Sequence, residues 1–124
     1  MNTLCQVLYV DDESDILDLV KINFSTHGVA VLTVNSAEEA LRVFSQHPIK
    51  IVISDLRMPG MKGPQFYQEL KRQFDFKGQF FLTSGNFEQR DLQGFPPEVG
   101  TVITKPVDYD ELAQTVREQL LQLP

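Results

Sequence analysis

Short runs of apolar residues alternate along the chain with longer segments in which apolar residues recur at helical spacing. The runs are continuous rather than alternating, which is typical of strands buried on both faces of a sheet. They are Val7–Val10, Ala30–Thr33, Ile51–Ile53, Phe80–Leu82 and Val102–Ile103. The run at 30–33 has the most polar flanks, and we expect it to form an edge strand.

The first intervening segment, about Glu13–His27, carries a helical pattern. Its apolar residues fall on one predicted face, and Gly28 follows as a residue that commonly ends helices. The residues of that face are Ile16, Leu19, Val20 and Phe24. We therefore predict an amphipathic helix between the first two strands.

Two further helices begin with a capping box, the pattern in which a polar side chain caps the helix and an acid follows three residues later. These are Ser36 with Glu39, and Asp108 with Glu111. The third helix in chain order is predicted over about Pro64–Gln73. A weak or short fourth helix is predicted from Asn86 to Gln93, because Pro96 and Pro97 must end it.

Five strands alternating with helices predict an α/β fold with a parallel sheet and right-handed crossovers. A chain of 124 residues has room for one domain, expected over residues 1–124. The flavodoxin-like, doubly wound strand order 2-1-3-4-5 is the leading arrangement. In that order strands one and three are neighbours at the switch point, and ligands bind outside their carboxyl ends.

Polar residues follow four of the predicted strands where their carboxyl ends should share one edge of the sheet. They are Asp11-Asp12-Glu13, Asp55, Thr83-Ser84 and Thr104-Lys105-Pro106. Three carboxylates brought together repel one another unless a cation is present, and hard oxygen ligands suit Mg²⁺. A carboxylate nucleophile, Mg²⁺, a lysine and a threonine together form a site for a phosphoryl group.

Charge and composition narrow the classes of function. The formal net charge is -6 with a pI near 4.8, and no Lys/Arg cluster is present, which weighs against direct nucleic-acid binding. No apolar run is long enough to span a bilayer and no signal-peptide pattern is present, so we expect a cytoplasmic location. The single cysteine, Cys5, excludes an internal disulfide.

The motifs together resemble the receiver domains of two-component response regulators, over essentially the whole chain. The resemblance rests on four motifs, Val10-Asp11-Asp12-Glu13, Asp55-Leu56-Arg57-Met58-Pro59-Gly60-Met61-Lys62-Gly63, Leu82-Thr83-Ser84 and Lys105-Pro106. It implies the CheY-like form of the predicted fold. It also implies a bacterial phosphorelay signalling protein.

The resemblance implies a role for each site residue. Asp55 would be the phosphoacceptor, Thr83 the hydroxyl that hydrogen-bonds the phosphoryl group, and Lys105 the cation that pairs with a phosphoryl oxygen. Mg²⁺ would be held by Asp55, directly by Asp12, mainly through water by Asp11, and by the backbone carbonyl of Arg57. The Lys105–Pro106 bond is commonly cis in the family.

The resemblance also implies partners. The phosphodonor would be a phosphohistidine on a sensor histidine kinase or a histidine phosphotransfer protein, and an unidentified effector would read the modified state. Direct contact with nucleic acid or a membrane is not expected. The face formed by the fourth helix, fifth strand and last helix is the expected surface of any homodimer.

Several positions depart from the family pattern. Val102 stands where an aromatic residue is common, and Phe95–Gly100 replaces a turn of small residues. Arg57 and Gly85 occupy two positions that tune phosphoryl lifetime in the family, so we predict altered, slow self-dephosphorylation. The departures near the last strand concern the output surface rather than the phosphorylation site.

Two alternatives stay open beside a signalling switch that catalyses only its own phosphorylation and dephosphorylation. A haloacid-dehalogenase-type phosphatase also uses an aspartate nucleophile at a strand end, but it needs a second carboxylate two residues later, where this chain has Arg57. A receiver fold used purely as an interaction module, without phosphorylation, is the other.

Overall fold

A computed structural model of the protein describes residues 4–85 and 102–123. Its strands are β1 (Val7–Val10), β2 (Val31–Val34), β3 (Ile51–Asp55), β4 (Gln79–Ser84) and β5 (Val102–Thr104). Its helices are α1 (Ser14–Thr26), α2 (Ala37–Val43), α3 (Gly63–Phe74) and α4 (Tyr109–Gln122), with a short 3-10 helix, Phe44–Gln46, directly after α2. The fourth helix predicted at 86–93 lies outside the described residues, so α4 is the predicted last helix.

The five strands form one parallel sheet in the order β2-β1-β3-β4-β5, as predicted. The prediction that the second strand lies at an edge is confirmed. β1 lies between β2 and β3, with its Val7 opposite Val31 of β2 on one side and Ile51 of β3 on the other. Strands β1 and β3 are therefore neighbours, and their carboxyl ends border the same crevice.

The sheet is covered on both faces, which explains its continuous apolar runs. One apolar cluster joins the sheet to α2 and α3, and contains Leu8, Val10, Ala40, Val52, Phe66, Leu70 and Phe80. The other joins it to α1 and α4, and contains Val7, Tyr9, Val20, Phe24, Ile51, Ile53 and Val116. Each large side chain buried in these layers contributes about 1.5–3 kcal/mol before the opposing entropy is counted.

The helix ends follow the predicted capping chemistry. The hydroxyl of Ser36 accepts the Glu39 backbone N–H at 3.1 Å, and the Asp108 carboxylate accepts that of Glu111 at 3.0 Å. Gly28 follows α1 with φ +73°, a left-handed conformation that glycine adopts without strain. These contacts satisfy backbone groups that the helices leave without partners.

The predicted buried face of α1 was wrong at one residue. Leu19 is 46% exposed, whereas Leu17, Val20 and Phe24 are buried. Successive helical residues are about 100° apart, so Leu17 and Leu19 point about 200° from each other and only one of them can face the sheet. Docking of α1 against β1 and α4 selects Leu17.

Gly63 allows α3 to begin directly against the sheet. A Cβ atom at this residue would lie 2.4 Å from Leu82 Cδ2 and 3.1 Å from the carbonyl oxygen of Asp55. The Gly63 backbone N–H donates to the Leu56 carbonyl at 3.0 Å. This close approach fixes both ends of the loop that follows Asp55. Among the described residues, no helix combines the length and apolar character needed to cross a membrane.

Candidate functional site

Three carboxylates meet at the carboxyl edge of the sheet, as the strand order predicts. Asp11, Asp12 and Asp55 each offer an oxygen, and these three atoms all lie within 4.8 Å of one another. Asp11 has no exposed surface and Asp55 is 8% exposed, whereas Asp12 is exposed to solvent. The cluster therefore has two buried acids and one that faces water.

Asp11 is fixed in the short connection between β1 and α1. Its backbone N–H donates to the Val34 carbonyl at 3.2 Å, and its Oδ1 accepts the Glu13 backbone N–H at 2.9 Å. Its second oxygen, Oδ2, is buried and has no hydrogen-bond partner among residues 4–85 and 102–123. One carboxylate oxygen thus orients the residue while the other faces the cluster.

Lys105 brings a positive charge to the acids. Its Nζ lies 3.5 Å from Asp55 Oδ2 and 3.7 Å from Asp11 Oδ2. Its backbone N–H donates to the Ser84 carbonyl at 2.9 Å, which extends the ladder of β4 past the end of β5. The bond between Lys105 and Pro106 is cis, as the family resemblance implies.

Thr83 is held beside Asp55 by the sheet itself. The two residues are opposite each other in the β3–β4 ladder, and the Leu56 backbone N–H donates to the Thr83 carbonyl at 2.9 Å. The Thr83 hydroxyl is buried, with no hydrogen-bond partner within the described part of the chain. Because buried hydroxyls are nearly always paired, this atom is suited to an acceptor brought by a ligand.

The site shifts the protonation of its own groups. Burial raises the pKa of Asp11 to about 6, against the lowering effect of the Glu13 N–H. Burial also raises the pKa of Asp55, against the lowering effects of Lys105 and of the Arg57 backbone N–H. Burial alone would lower the pKa of Lys105, but the two carboxylates raise it above its usual range. A further cation would relieve the repulsion that remains between the acids.

The donor set fits a hard divalent cation. Asp11 Oδ2 is a buried carboxylate oxygen without a hydrogen-bond partner among the described residues, and it belongs to a cluster of three carboxylates in which Asp12 is open to water. Mg²⁺ takes one or two carboxylates and keeps several water molecules. Arg57, the fourth predicted ligand residue, borders the cluster through its backbone N–H, which hydrogen-bonds the Asp55 carboxylate.

Two neighbours of the site were not predicted from the sequence. The fully buried hydroxyl of Tyr9 lies near Tyr109 and Asp11, and burial together with these groups raises the pKa of Tyr9 far above its usual range. The period of two along a strand is a signal for it, because it places Tyr9 on the same face as Asp11. Glu38, on α2, contacts the loop after Asp55, and no local motif marks that contact.

Comparison with known protein families agrees with this geometry. The family model described as "Response regulator receiver domain" matches residues 7–117. The transcriptional regulatory protein GlrR of Escherichia coli is 33% identical over 116 residues, which is 94% of this chain and 26% of that protein. The transcriptional regulatory protein YvrH of Bacillus subtilis is 34% identical over 115 residues, 92% of this chain and 48% of that protein. The chain thus spans a quarter to a half of these relatives.

Solved structures share the fold. A response regulator receiver domain protein from Clostridium thermocellum is 28% identical with a TM-score of 0.77, covering 96% of this chain and 100% of that one. A CheY-like receiver domain protein from Methanospirillum hungatei is 21% identical with a TM-score of 0.81, covering 97% and 96%. With the family model matching most of its length, the chain belongs to the response regulator receiver domains of two-component signalling.

Proposed function

We propose that Asp55 accepts a phosphoryl group from a phosphohistidine and that the chain acts as a phosphorylation-dependent switch. The observation that carries this proposal is the set of groups around the Asp55 carboxylate. Asp55 stands at the end of β3 with the Lys105 ammonium 3.5 Å away, two further acids in reach and the buried Thr83 hydroxyl on the neighbouring strand. Receiver domains are signalling domains rather than conventional turnover enzymes.

The chemistry is a single displacement at phosphorus. An oxygen of the Asp55 carboxylate forms a bond to phosphorus as the P–N bond of the phosphohistidine breaks, and the electron pair of that bond leaves with the imidazole nitrogen. The carboxylate must be ionised to attack. Lys105 favours this state, since its charge opposes the effect of burial on the pKa of Asp55.

The residues around Asp55 would bind Mg²⁺ and the phosphoryl oxygens. Asp11, Asp12, Asp55 and the carbonyl of Arg57 would hold Mg²⁺. Bound Mg²⁺ would supply the positive charge that offsets repulsion between the carboxylates and the incoming phosphoryl oxygens. Lys105 would pair with one phosphoryl oxygen, and the Thr83 hydroxyl would donate to another. The Lys105 ammonium and the Thr83 hydroxyl both lie at the carboxyl edge of the sheet, where the negatively charged phosphoryl group would bind.

The switch step follows from the Thr83 hydroxyl. Once it donates to the phosphoryl group, a buried polar atom gains a partner, and the end of β4 is favoured in the conformation that makes this bond. Strand β5 pairs with this segment, because Thr83 lies opposite Ile103 and Leu82 opposite Val102. An effector that binds β5 and α4 differently in the two states would read the change.

The proposal extends to partners and context. The phosphodonor is a sensor histidine kinase or a histidine phosphotransfer protein in the cytoplasm, residues 1–124 act as one receiver domain, and any homodimer uses the face that includes β5 and α4. The predicted fourth helix of that face lies outside the described residues. Many of the curated relatives are named as transcriptional regulators. These names support an effector that is either part of the same chain or a separate protein.

A haloacid-dehalogenase-type phosphatase is disfavoured by the residue two positions after Asp55. A general acid is required there, and this chain places the exposed Arg57. A phosphorylation-independent interaction module is disfavoured by the buried Thr83 hydroxyl and Asp11 oxygen. Such polar atoms cost stability without a ligand to pair with.

Incubation with acetyl phosphate and Mg²⁺, followed by intact-mass measurement, tests the proposal. We expect one phosphoryl adduct per chain, which chelation of Mg²⁺ prevents. Asp55→Asn should remove it, while Asp18→Asn, a matched change at an exposed acid on α1, should keep it. Continuous release of phosphate without an adduct would favour the phosphatase, and absence of both would favour the interaction module.

A further inference from the structure

The β3–α3 loop, residues 56–62, is fixed at its two ends but not at its tip. Met58 is 5% exposed and joins the apolar cluster beneath α2 and α3. At the far end, the Gly63 N–H donates to the Leu56 carbonyl. Between these anchors, Pro59 and Gly60 are exposed and have no regular secondary structure. The position of the tip therefore depends on contacts from outside the loop.

Glu38 supplies such a contact from the first turn of α2. Its Oε1 accepts the backbone N–H of Met61 at 3.4 Å. Both carboxylate oxygens also lie against Gly60, 3.3 Å from where a Cβ atom would stand. Gly60 has φ +81°, so this residue both permits the turn and lets the carboxylate approach its backbone.

We propose that Glu38 is a positioning residue for the phosphorylation site. By holding Gly60 and Met61, it limits the conformations of the short loop whose first residues border Asp55. The backbone N–H of Arg57 hydrogen-bonds the Asp55 carboxylate, so movement of the loop changes the surroundings of that carboxylate. This inference rests on the proposed function, because it assigns Glu38 a role in the Mg²⁺ site formed by Asp55 and the carbonyl of Arg57.

The contact is suited to tuning rather than to building the site. Glu38 is exposed, so water competes for the Met61 N–H. A net hydrogen bond of this kind contributes modestly, and its loss is expected to weaken Mg²⁺ binding about two- to five-fold. A general effect of negative charge on cation binding is the competing explanation, and it predicts a different response to an uncharged acceptor.

Three variants separate the two explanations. Glu38→Ala removes the acceptor and the charge, whereas Glu38→Gln removes the charge and keeps an acceptor oxygen at the same length. Glu39→Ala is the matched control, because Glu39 is the adjacent acid but its side chain pairs with Arg42. Amide hydrogen exchange at Met61 reports the contact itself, and a Mg²⁺ titration followed by backbone amide NMR shifts reports the site.

We expect Glu38→Ala to speed exchange at Met61 and to raise the Kd for Mg²⁺ about two- to five-fold. Glu38→Gln and Glu39→Ala should stay close to the parent protein in both measurements. Unchanged Mg²⁺ affinity in Glu38→Ala would overturn the inference, as would an equal loss in Glu38→Gln, which would assign the effect to charge. If the unmodified protein itself binds no Mg²⁺, the proposed function fails, and this inference fails with it; the parent titration makes that case distinguishable.

Discussion

Replacing Asp11 with asparagine should stabilise the metal-free protein at neutral pH. Burial raises the pKa of Asp11 from 3.8 to about 6, so the folded state binds this proton more tightly than the unfolded state does. The folded state is therefore favoured at low pH, and its stability falls as the pH rises from about 4 to about 6. The full difference of about two pH units corresponds to about 3 kcal/mol.

Asparagine keeps the shape and can still accept the Glu13 N–H, but it carries no charge. Lys105 retains Asp55 at 3.5 Å as a partner, so its ammonium is not left alone. The pKa of Asp11 already includes the compensation from Lys105, so we expect Asp11→Asn to raise the free energy of unfolding by up to about 3 kcal/mol above pH 7.

Urea denaturation followed by circular dichroism, with a chelator present, measures this effect. The gain should shrink as the pH falls through about 6 and disappear below about 4, where Asp11 is protonated in both states. Asp12→Asn, at the exposed neighbour, should change stability much less. A lower stability of Asp11→Asn above pH 7, or a gain that does not depend on pH, would refute the assignment of burial as the cause.

Three further predictions test other parts of the structure. Gly63→Ala should destabilise the fold by about 1–3 kcal/mol in the same urea titration, because its Cβ would lie 2.4 Å from Leu82 Cδ2. Gly85→Ala is the matched control, because among residues 4–85 and 102–123 the nearest atom to its Cβ would be Lys105 Cβ at 3.8 Å. Thr83→Ala should still take up a phosphoryl group from acetyl phosphate but lose the beryllofluoride-induced amide shifts in β5; shifts equal to those of the parent would contradict its role. Arg57→Ala should speed decay of the phosphorylated protein about two- to ten-fold, followed by intact-mass measurement. An unchanged rate would show that Arg57 does not slow self-dephosphorylation.

The strand order was predictable because it follows from features that are local in sequence. Apolar runs mark strands, the intervening segments mark crossovers, and the handedness of those crossovers leaves few arrangements. The capping boxes at Ser36 and Asp108 were equally local. The same reasoning placed Asp55, Thr83 and Lys105 at one edge, since parallel strands end together.

What could not be predicted depends on packing between distant elements. Leu17 and Leu19 are equally apolar, and only the rotation of α1 on the sheet decides which is buried. Asp11 and Asp12 are adjacent acids, and the end of β1 at Val10 decides which one turns inward. The contact from Glu38 to the loop after β3 joins residues 23 positions apart, and no periodicity connects them.

The ladder between β3 and β4 has a consequence for how such a protein can diversify. Asp55 and Thr83 are opposite each other on this ladder, so their separation is set by main-chain hydrogen bonds, which form with nearly any side chain at these positions. The solvent-facing surfaces of the helices do not determine this separation. Residues on the outer surface can therefore change, and with them the partners that bind there, while the Asp55–Thr83 pairing is kept, so domains of this fold can serve different outputs.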